Sequence, residues 1–232
     1  MDHQNAIDFL LTGRFALFSD PVTRVGGEKT SYLIPTYEAL KGVCESIYWK
    51  PTFQWVVDSV RVLNPFQSQS KGMRPISLRN EPATLSIYTY LKDVRYEVHA
   101  HFEWNPLRGD LAADRNENKH YFMAKRCLER GGRRDIFLGT RECQGYVEPL
   151  PEERIESAFD PLERMTFGNM FHGFDYGDTG EGGQMVARFF EPVMLRGVVT
   201  FPRPEECTVR RVVKPLEGKA FALGKTLRPV EE

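Results

Sequence analysis

Two long runs of alternating apolar and polar residues place the strongest constraint on the fold of this chain. They are "FQWVVDSVRVL" (residues 53–63) and "VRYEVHAHFEW" (residues 94–104), and both are rich in β-branched or aromatic residues. Such residues favour strands, and a period of two sends successive side chains to opposite faces of a sheet. The sequence therefore predicts a sheet with one covered face and one open face.

Three further segments are predicted as strands. The apolar segment "AIDFLLTGRFALF" (residues 6–18) is short enough to be a buried first strand. The segment "TLSIYTYL" (residues 84–91) is followed by Lys92-Asp93, which we interpret as a hairpin turn leading into the second alternating run. The segment "RDIFLGTRECQGYVEP" (residues 134–149) is predicted to be a strand with a kink at Gly139.

The segment "PTYEALKGVCESIYWKP" (residues 35–51) has the periodicity of an amphipathic helix. Its apolar stripe consists of Tyr37, Leu40, Cys44 and Ile47, whose spacing of three and four residues places them on one helix face. Proline at each end suits a helix start and a helix stop. Tyr48 is expected at the C-terminal end of this helix.

A second helix is predicted to begin at Asn118 and to end at Gly131-Gly132. An advance of about 100° per residue gives a basic stripe of Lys119, Arg126 and Arg130 and an opposite, core-facing stripe of Tyr121, Ala124 and Leu128. His120 falls on the border between the two stripes. Between residues 119 and 134, six basic residues face one acidic residue, so a backbone phosphate would be attracted to this segment.

The predicted order through residue 149 is strand, helix, strand, hairpin, helix, strand. This order is typical of an α+β fold with a ferredoxin-like or RRM-like sheet whose helices cover one face. The open face would then be available to RNA. We assign residues 1–149 to this domain. Residues 150–232 are expected to form an acidic linker or short helix (residues 150–167), followed by a smaller β-hairpin unit.

Composition excludes several classes of protein. The 232 residues carry 31 basic and 32 acidic side chains, which excludes a uniformly basic coat but permits a local basic patch. The four cysteines are far apart and form no CxxC pair, so neither a zinc site nor a disulfide framework is indicated. No secretory signal and no apolar run of about 18 residues is present. We expect a cytoplasmic, globular protein with no membrane partner.

Lys119 and His120 are the candidate chemical groups of the sequence. Histidine can act as an acid or a base near neutral pH, lysine can hold a phosphate, and the free amides at a helix start bind anions. The alternative is a solvated basic helix face with a structural histidine. His99 and His101 lie two residues apart on one strand face, where packing is favoured over metal binding.

Long segments of the chain resemble a known family. The segments "SYLIPTYEALKGVCESIYWKP", "RPISLRN", "NKHYFMAKRCLERGGRRDIFLGTREC" and "GFDYG" are similar to those of the CRISPR-associated repeat-processing proteins of subtype I-C, the Dvulg type of Cas family five in the RAMP superfamily. The resemblance implies an endoribonuclease that cuts precursor CRISPR RNA within the repeat hairpin, without a metal or cofactor, and leaves a 2′,3′-cyclic phosphate.

The resemblance also implies residues and partners. A tyrosine, a lysine and a histidine would act together, and the matching positions are Tyr48, Lys119 and His120, with Tyr37 and Tyr121 as alternatives for the tyrosine. The product would stay bound by its 5′ tag in a Cascade complex, beside backbone subunits and the large subunit, and would meet target DNA through that complex. Our own inference for the RNA-binding residues is Arg24, Lys29, Lys50, Arg126, Arg130, Arg133, Arg134 and Arg141.

Two other functions are kept as alternatives. One is a non-catalytic subunit of Cascade that caps the 5′ tag of the guide RNA, because related proteins in other subtypes leave cutting to a separate enzyme. The other is an RRM-like binding module outside CRISPR, which the missing aromatic RNA-binding signature of that fold disfavours.

Overall fold

The computed structural model describes residues 5–21, 23, 27–74, 85–176 and 183–216. Their strands are β1 (Ala6–Ala16), β2 (Phe53–Val62), β3 (Ser68–Met73), β4 (Ser86–Trp104), β5 (Ile136–Phe137), β6 (Gln144–Pro149), β7 (Met165–Thr166), β8 (Met170–Asp175), β9 (Gln184–Phe190), β10 (Val193–Leu195), β11 (Val198–Thr200) and β12 (Val209–Pro215). The α-helices are α1 (Tyr37–Ile47) and α2 (Glu117–Glu129), and short 3-10 turns cover Gly109–Asp114 and Pro204–Glu206. None of the helices in the described part of the chain is long and apolar enough to cross a membrane.

A nine-stranded antiparallel sheet forms the centre of the fold. Its order is β5-β6-β1-β4-β2-β11-β10-β7, with β3 beside β4. The 19-residue β4 pairs with β1 along one edge and with β2 and β3 along the other. Alternate residues of β4, such as Val98 and Phe102, are buried beneath the helices, and the residues between them lie on the open face. The predicted α+β class is confirmed.

The two helices begin and end where local chemistry favours it. The side chain of Thr36 caps α1 by accepting from the backbone N–H of Ala39 (3.3 Å), and Asn116 caps α2 by accepting from that of Lys119 (3.0 Å). The helix α2 thus begins at Glu117, one residue before the predicted start. Its end at the positive-φ pair Gly131-Gly132 is confirmed.

The predicted hairpin turn at Lys92-Asp93 is wrong. The strand β4 continues through it, and its register with β1 runs unbroken from Gly13↔Val94 to Phe15↔Lys92. Asp93 adopts a positive φ of 51°, but a single residue with this backbone conformation does not reverse the direction of the chain. The Lys92-Asp93 dipeptide lacks glycine, and β1 is long enough to pair with the residues of β4 on both sides of it.

Two other strand predictions need correction. Residues 68–73, which no predicted strand included, form the exposed edge strand β3, which pairs with the first half of β4. Residues 134–149 form not one kinked strand but the short hairpin β5-β6. Gly139 lies in its loop at φ 89°, where a Cβ would collide with the carbonyl oxygen of Leu17.

The region after residue 149 contributes to both sheets. Its β8 and β9 form the predicted hairpin, which β12 extends into a three-stranded sheet, whereas β7, β10 and β11 extend the large sheet. The division into units 1–149 and 150–232 stays a prediction. Residues 150–164 contain no helix, and Arg61 holds this segment because its Nη2 donates to both carboxylate oxygens of Asp160 (2.9 and 3.1 Å).

Candidate active site

A hydrogen bond between Tyr48 and His120 connects the ends of the two helices. The hydroxyl of Tyr48, at the C-cap of α1, lies 3.0 Å from Nδ1 of His120 in the first turn of α2. The carbonyl of Tyr48 accepts from Nε1 of Trp55 (2.7 Å), which holds it against β2. Tyr48 is 1% exposed and His120 is 0% exposed. Two of the three predicted catalytic side chains therefore meet in the interior.

The predicted border position of His120 is wrong. His120, Ala124 and Leu128 are the buried residues of α2, and their spacing of four residues forms one stripe on the core side of the helix. Tyr121, predicted to face the core, is partly buried and packs against it. Aromatic rings surround the imidazole, with centroid distances of 5.2 Å to Phe53, 5.8 Å to Trp104 and 6.2 Å to Phe102.

Asp114 joins Lys119 to this pair, and sequence reasoning missed it. Its carboxylate binds the ammonium group of Lys119 and accepts from the hydroxyl of Thr52 (2.7 Å). Its backbone carbonyl oxygen lies 2.8 Å from Nε2 of His120. The available signal was a carboxylate two residues before the N-cap of a helix whose first turn carries a lysine and a histidine.

The carbonyl of Asp114 fixes the tautomer of the neutral imidazole. A carbonyl oxygen can only accept a hydrogen bond, so Nε2 of His120 carries the proton. Nδ1 is then the acceptor, and the hydroxyl of Tyr48 donates to it. The phenol of Tyr48 thus serves as a proton donor toward His120.

Two pKa shifts define the charges at neutral pH. Burial raises the pKa of Tyr48, and the nearby carboxylate of Asp114 adds to the increase, so the phenol stays protonated. Hydrogen bonds from Lys119 and then from Thr52 lower the pKa of Asp114 to about 2, so its carboxylate stays ionised. The cluster therefore combines a neutral phenol, an imidazole and an ion pair.

The two alternative tyrosines lie elsewhere. The ring of Tyr37 stacks on His172, with centroids 4.2 Å apart, at the other end of α1. Tyr121 packs its ring edge against Phe122. Of the three tyrosines considered, Tyr48 is the one whose hydroxyl contacts His120.

Part of the predicted RNA-binding set lies near this cluster. Lys50 is exposed two residues beyond Tyr48. The backbone N–H groups of Arg133 and Arg134 donate to the carbonyl of Ser46 (3.0 Å each), which places both exposed arginines beside the last turn of α1. Arg126 and Arg130 are exposed on α2. These residues share the helical side of the sheet.

The remaining predicted RNA-binding residues are distant from His120 or not described. The ammonium group of Lys29 lies 4.9 Å from the ring centroid of Tyr88 in the first half of β4. Arg141 is exposed in the loop between β5 and β6. Arg24 lies outside the residues that the structure describes.

The open face of the large sheet carries paired charges. His101 contacts Asp58 (2.8 Å) and Glu103 (3.3 Å), and Arg203 contacts the same Glu103 (2.5 Å). His99 bonds to Asp8. The predicted packing role of the two histidines thus takes the form of hydrogen bonds to carboxylates. The carboxylates and the cationic side chains named here are thus paired with one another on the open face.

Comparisons with known proteins agree with the resemblance found in the sequence. The family model Cas_Cas5d, described as CRISPR-associated protein (Cas_Cas5), matches residues 6–202. A protein of Mannheimia succiniciproducens named CRISPR pre-crRNA endoribonuclease Cas5d is 28% identical over 228 residues, which cover 85% of this chain and 95% of the relative. A protein of the same name from Thermus thermophilus is 31% identical over 147 residues, 59% of this chain and 61% of the relative.

A solved structure shows the same architecture. The crystal structure described as that of a CRISPR-associated protein superposes with a TM-score of 0.74 at 35% identity, over 89% of this chain and 96% of that one. The family match over most of the chain and this shared fold lead to one conclusion. The chain belongs to the Cas5d family of CRISPR-associated proteins.

Proposed function

We propose that this protein is an endoribonuclease that cuts precursor CRISPR RNA within its repeat and keeps the 5′ tag of the product. The observation that carries the proposal is the contact of Tyr48, His120, Asp114 and Lys119 in one hydrogen-bonded cluster at the start of α2. The names of the two relatives, each a pre-crRNA endoribonuclease, supply the substrate class.

The proposed reaction needs only proton transfers and charge stabilisation. The ribose 2′-hydroxyl loses its proton and its oxygen forms a bond to the adjacent phosphorus. The bond from phosphorus to the 5′-oxygen breaks, and that oxygen takes up a proton. The products are a 2′,3′-cyclic phosphate and a 5′-hydroxyl end. A positioned acid or base contributes roughly 10²–10⁴-fold to such a step.

The geometry divides this work among three side chains. Because the phenol of Tyr48 stays protonated, we assign it the orientation of His120 and assign proton transfer at the RNA to His120. The ammonium group of Lys119 gives one of its three donors to Asp114 and would use the others on a phosphoryl oxygen that gains charge.

We assign RNA binding to the basic side chains of the helical side, with Lys50, Arg133 and Arg134 nearest to the cluster. Hairpin RNA is recognised mainly through its shape and its phosphates, and its bases are read where they are unpaired. Arg126, Arg130, Lys29, Arg141 and Arg24 complete the proposed set. The proposed partners are Cascade backbone subunits and the large subunit in the cytoplasm, with target DNA met through that complex.

The test of the nuclease is cleavage of repeat RNA in EDTA under single-turnover conditions. We expect wild-type protein to cut, and we expect His120→Gln and Lys119→Met to lose at least about 100-fold in rate while they still bind RNA. Lys125→Met is the matched control for Lys119, because Lys125 is exposed on the same helix and outside the cluster. A thermal melt shows that each variant is folded.

Cleavage that persists in both His120→Gln and Lys119→Met would remove the proposed site. The chemical nature of the 3′ end is a separate check, because a 2′,3′-cyclic phosphate resists periodate until acid opens it and a phosphatase removes the resulting monophosphate.

A second candidate function is the non-catalytic subunit that caps the 5′ tag. The enclosure of His120 and Tyr48, at 0% and 1% exposure, favours it, because neither ring touches solvent in this structure. Wild-type protein that binds repeat RNA tightly and does not cut it would establish this alternative.

A further inference from the structure

The imidazole of His120 is closed off from any external ligand. Its Nδ1 is bonded to Tyr48 and its Nε2 to the carbonyl of Asp114, so both polar atoms are occupied. Its remaining surface packs against the aromatic rings of Phe53, Phe102 and Trp104. An RNA phosphate can reach His120 only after one of these neighbours moves.

The segment that ends at Asp114 is less buried than Tyr48 and Phe53. Tyr48 and Phe53 are core residues at 1% exposure. By contrast, the 3-10 turn Gly109–Asp114 contains no buried residue and is kinked at Leu111. Displacement of this turn therefore exposes Nε2 of His120 without disruption of the core.

Asp114 presents two oxygens to the two groups that the proposed reaction needs. Its carboxylate, which is ionised, binds the ammonium group of Lys119. Its carbonyl oxygen accepts from Nε2–H of His120 at 2.8 Å. An RNA phosphodiester offers the same pair of acceptors, an anionic non-bridging oxygen and an ester oxygen on the same phosphorus.

We propose that Asp114 occupies the phosphodiester subsite of the RNA-free protein and that RNA displaces it. A non-bridging phosphoryl oxygen replaces the carboxylate on Lys119, and an ester oxygen replaces the carbonyl at Nε2 of His120. This inference rests on the proposed function for the identity of the ligand. It adds the position of the scissile phosphate and a residue that competes with it.

The contacts that hold Asp114 are weak enough for RNA to replace. The side chains of Lys119 and Asp114 are 53% and 30% exposed, and exposed ion pairs add little stability. The hydroxyl of Thr52, which belongs to a buried residue, provides the second contact at 2.7 Å. In the closed state Asp114 contacts Lys119 and His120, and in the open state it has left them. RNA binds only the open state, so its apparent affinity is the affinity of that state multiplied by the fraction of molecules that are open.

The test removes the two contacts of the Asp114 carboxylate, with Lys119 and with Thr52, one at a time. Asp114→Asn removes the charge that holds Lys119, and Thr52→Val removes the hydroxyl without a change in charge. Asp110→Asn is the matched control, because Asp110 lies in the same turn and pairs with Arg108 (2.8 Å) instead of Lys119. It reproduces the change in net charge without loosening Asp114.

Two readouts are measured, and neither needs cleavage. The first is the rate of His120 modification by diethyl pyrocarbonate, followed by peptide mass spectrometry, with the half-exposed His99 as reference. The second is the Kd for repeat RNA with a 2′-deoxy substitution at the cut site. We expect Asp114→Asn and Thr52→Val each to raise the rate and lower the Kd by about five-fold, because each removes roughly one hydrogen bond from the closed state.

The proposal would be overturned if the rate of His120 modification and the Kd for RNA were equal in Asp114→Asn, Thr52→Val and Asp110→Asn. A rise in His120 reactivity matched by a similar rise at the buried His172 would also overturn it, because that pattern indicates general loosening. If the variants show the expected shifts and wild-type protein does not cut RNA, the nuclease proposal is refuted and the subsite proposal stands. The two proposals therefore fail independently.

Discussion

The hydroxyl of Tyr48 and the carbonyl of Asp114 determine how His120 is oriented. The contact with Tyr48 is buried and the contact with Asp114 is partly buried, and loss of either partner leaves one nitrogen of the imidazole without that hydrogen bond. A few atoms therefore set the tautomer of the proposed catalytic group.

Replacement of Tyr48 by phenylalanine tests that orientation. Tyr48→Phe keeps the ring and removes the donor to Nδ1, so we expect the cleavage rate to fall about 10–100-fold, less than the loss of a positioned acid or base because the imidazole itself remains. The free energy of unfolding should fall by only about 1–2 kcal/mol. Tyr121→Phe is the control, since Tyr121 is not part of the cluster. Equal rates for the two variants would exclude the assigned role of Tyr48.

His172 makes the protein sensitive to acid. Burial lowers its pKa to about 4, below the ordinary value of about 6.5 in the unfolded chain. Between these two values the unfolded state binds a proton that the folded state does not, so stability is full above pH of about 6.5 and is lost as the pH falls toward about 4.

The matched variant for this effect is His172→Phe, which retains an aromatic partner for Tyr37. Urea titration at pH of about 7 and about 4.5 measures the free energy of unfolding. Between these pH values it should fall by about 2 kcal/mol less in the variant than in the wild type. The same loss in both proteins would show that another group is responsible.

At the level of elements, Arg61 attaches the acidic segment after β6 to the large sheet. It lies on β2, is 12% exposed, and contacts both Glu97 on β4 and Asp160. Removal of this largely buried cation takes the arginine partner from Glu97 and leaves Asp160 with the exposed Arg154 and the backbone N–H of Ser157.

We therefore expect Arg61→Ala to lower the free energy of unfolding by about 2–3 kcal/mol. Arg154→Ala, which removes an arginine that is 74% exposed and contacts the same Asp160, should cost less than about 1 kcal/mol. Denaturant titration of both variants measures the difference. Similar values for the two would mean that the exposed arginine holds the segment equally well.

For the whole molecule, the distribution of charge separates two surfaces. The helical side presents Lys50, Arg133 and Arg134 near the proposed site, whereas on the open face Arg203 pairs with Glu103 and His101 pairs with Asp58. The near-zero net charge therefore conceals a local basic surface.

Salt dependence of RNA binding tests this separation. Arg133→Ala and Arg134→Ala should each weaken repeat-RNA binding and reduce the slope of log K against log salt by about one phosphate contact. Arg203→Ala removes the same charge from the open face and should leave that slope unchanged. A slope that falls equally in all three variants would show that RNA contacts both surfaces.

Local patterns predicted much of this protein, and long-range contacts decided the rest. The periods of α1 and β2, the glycine end of α2 and the β8-β9 hairpin were predictable, because each depends on neighbours in sequence. The edge strand β3 and the continuity of β4 were not, because each depends on a partner strand distant in sequence.

The same division holds at the candidate site. Residue types and the resemblance to a family predicted that Tyr48, Lys119 and His120 act together on RNA. The fold was needed to show that His120 is buried, that Tyr48 is its partner, and that Asp114 contacts both His120 and Lys119. The reason is that burial and hydrogen bonding depend on which elements meet in space, and the packing of α1 and α2 on one sheet brings these residues together.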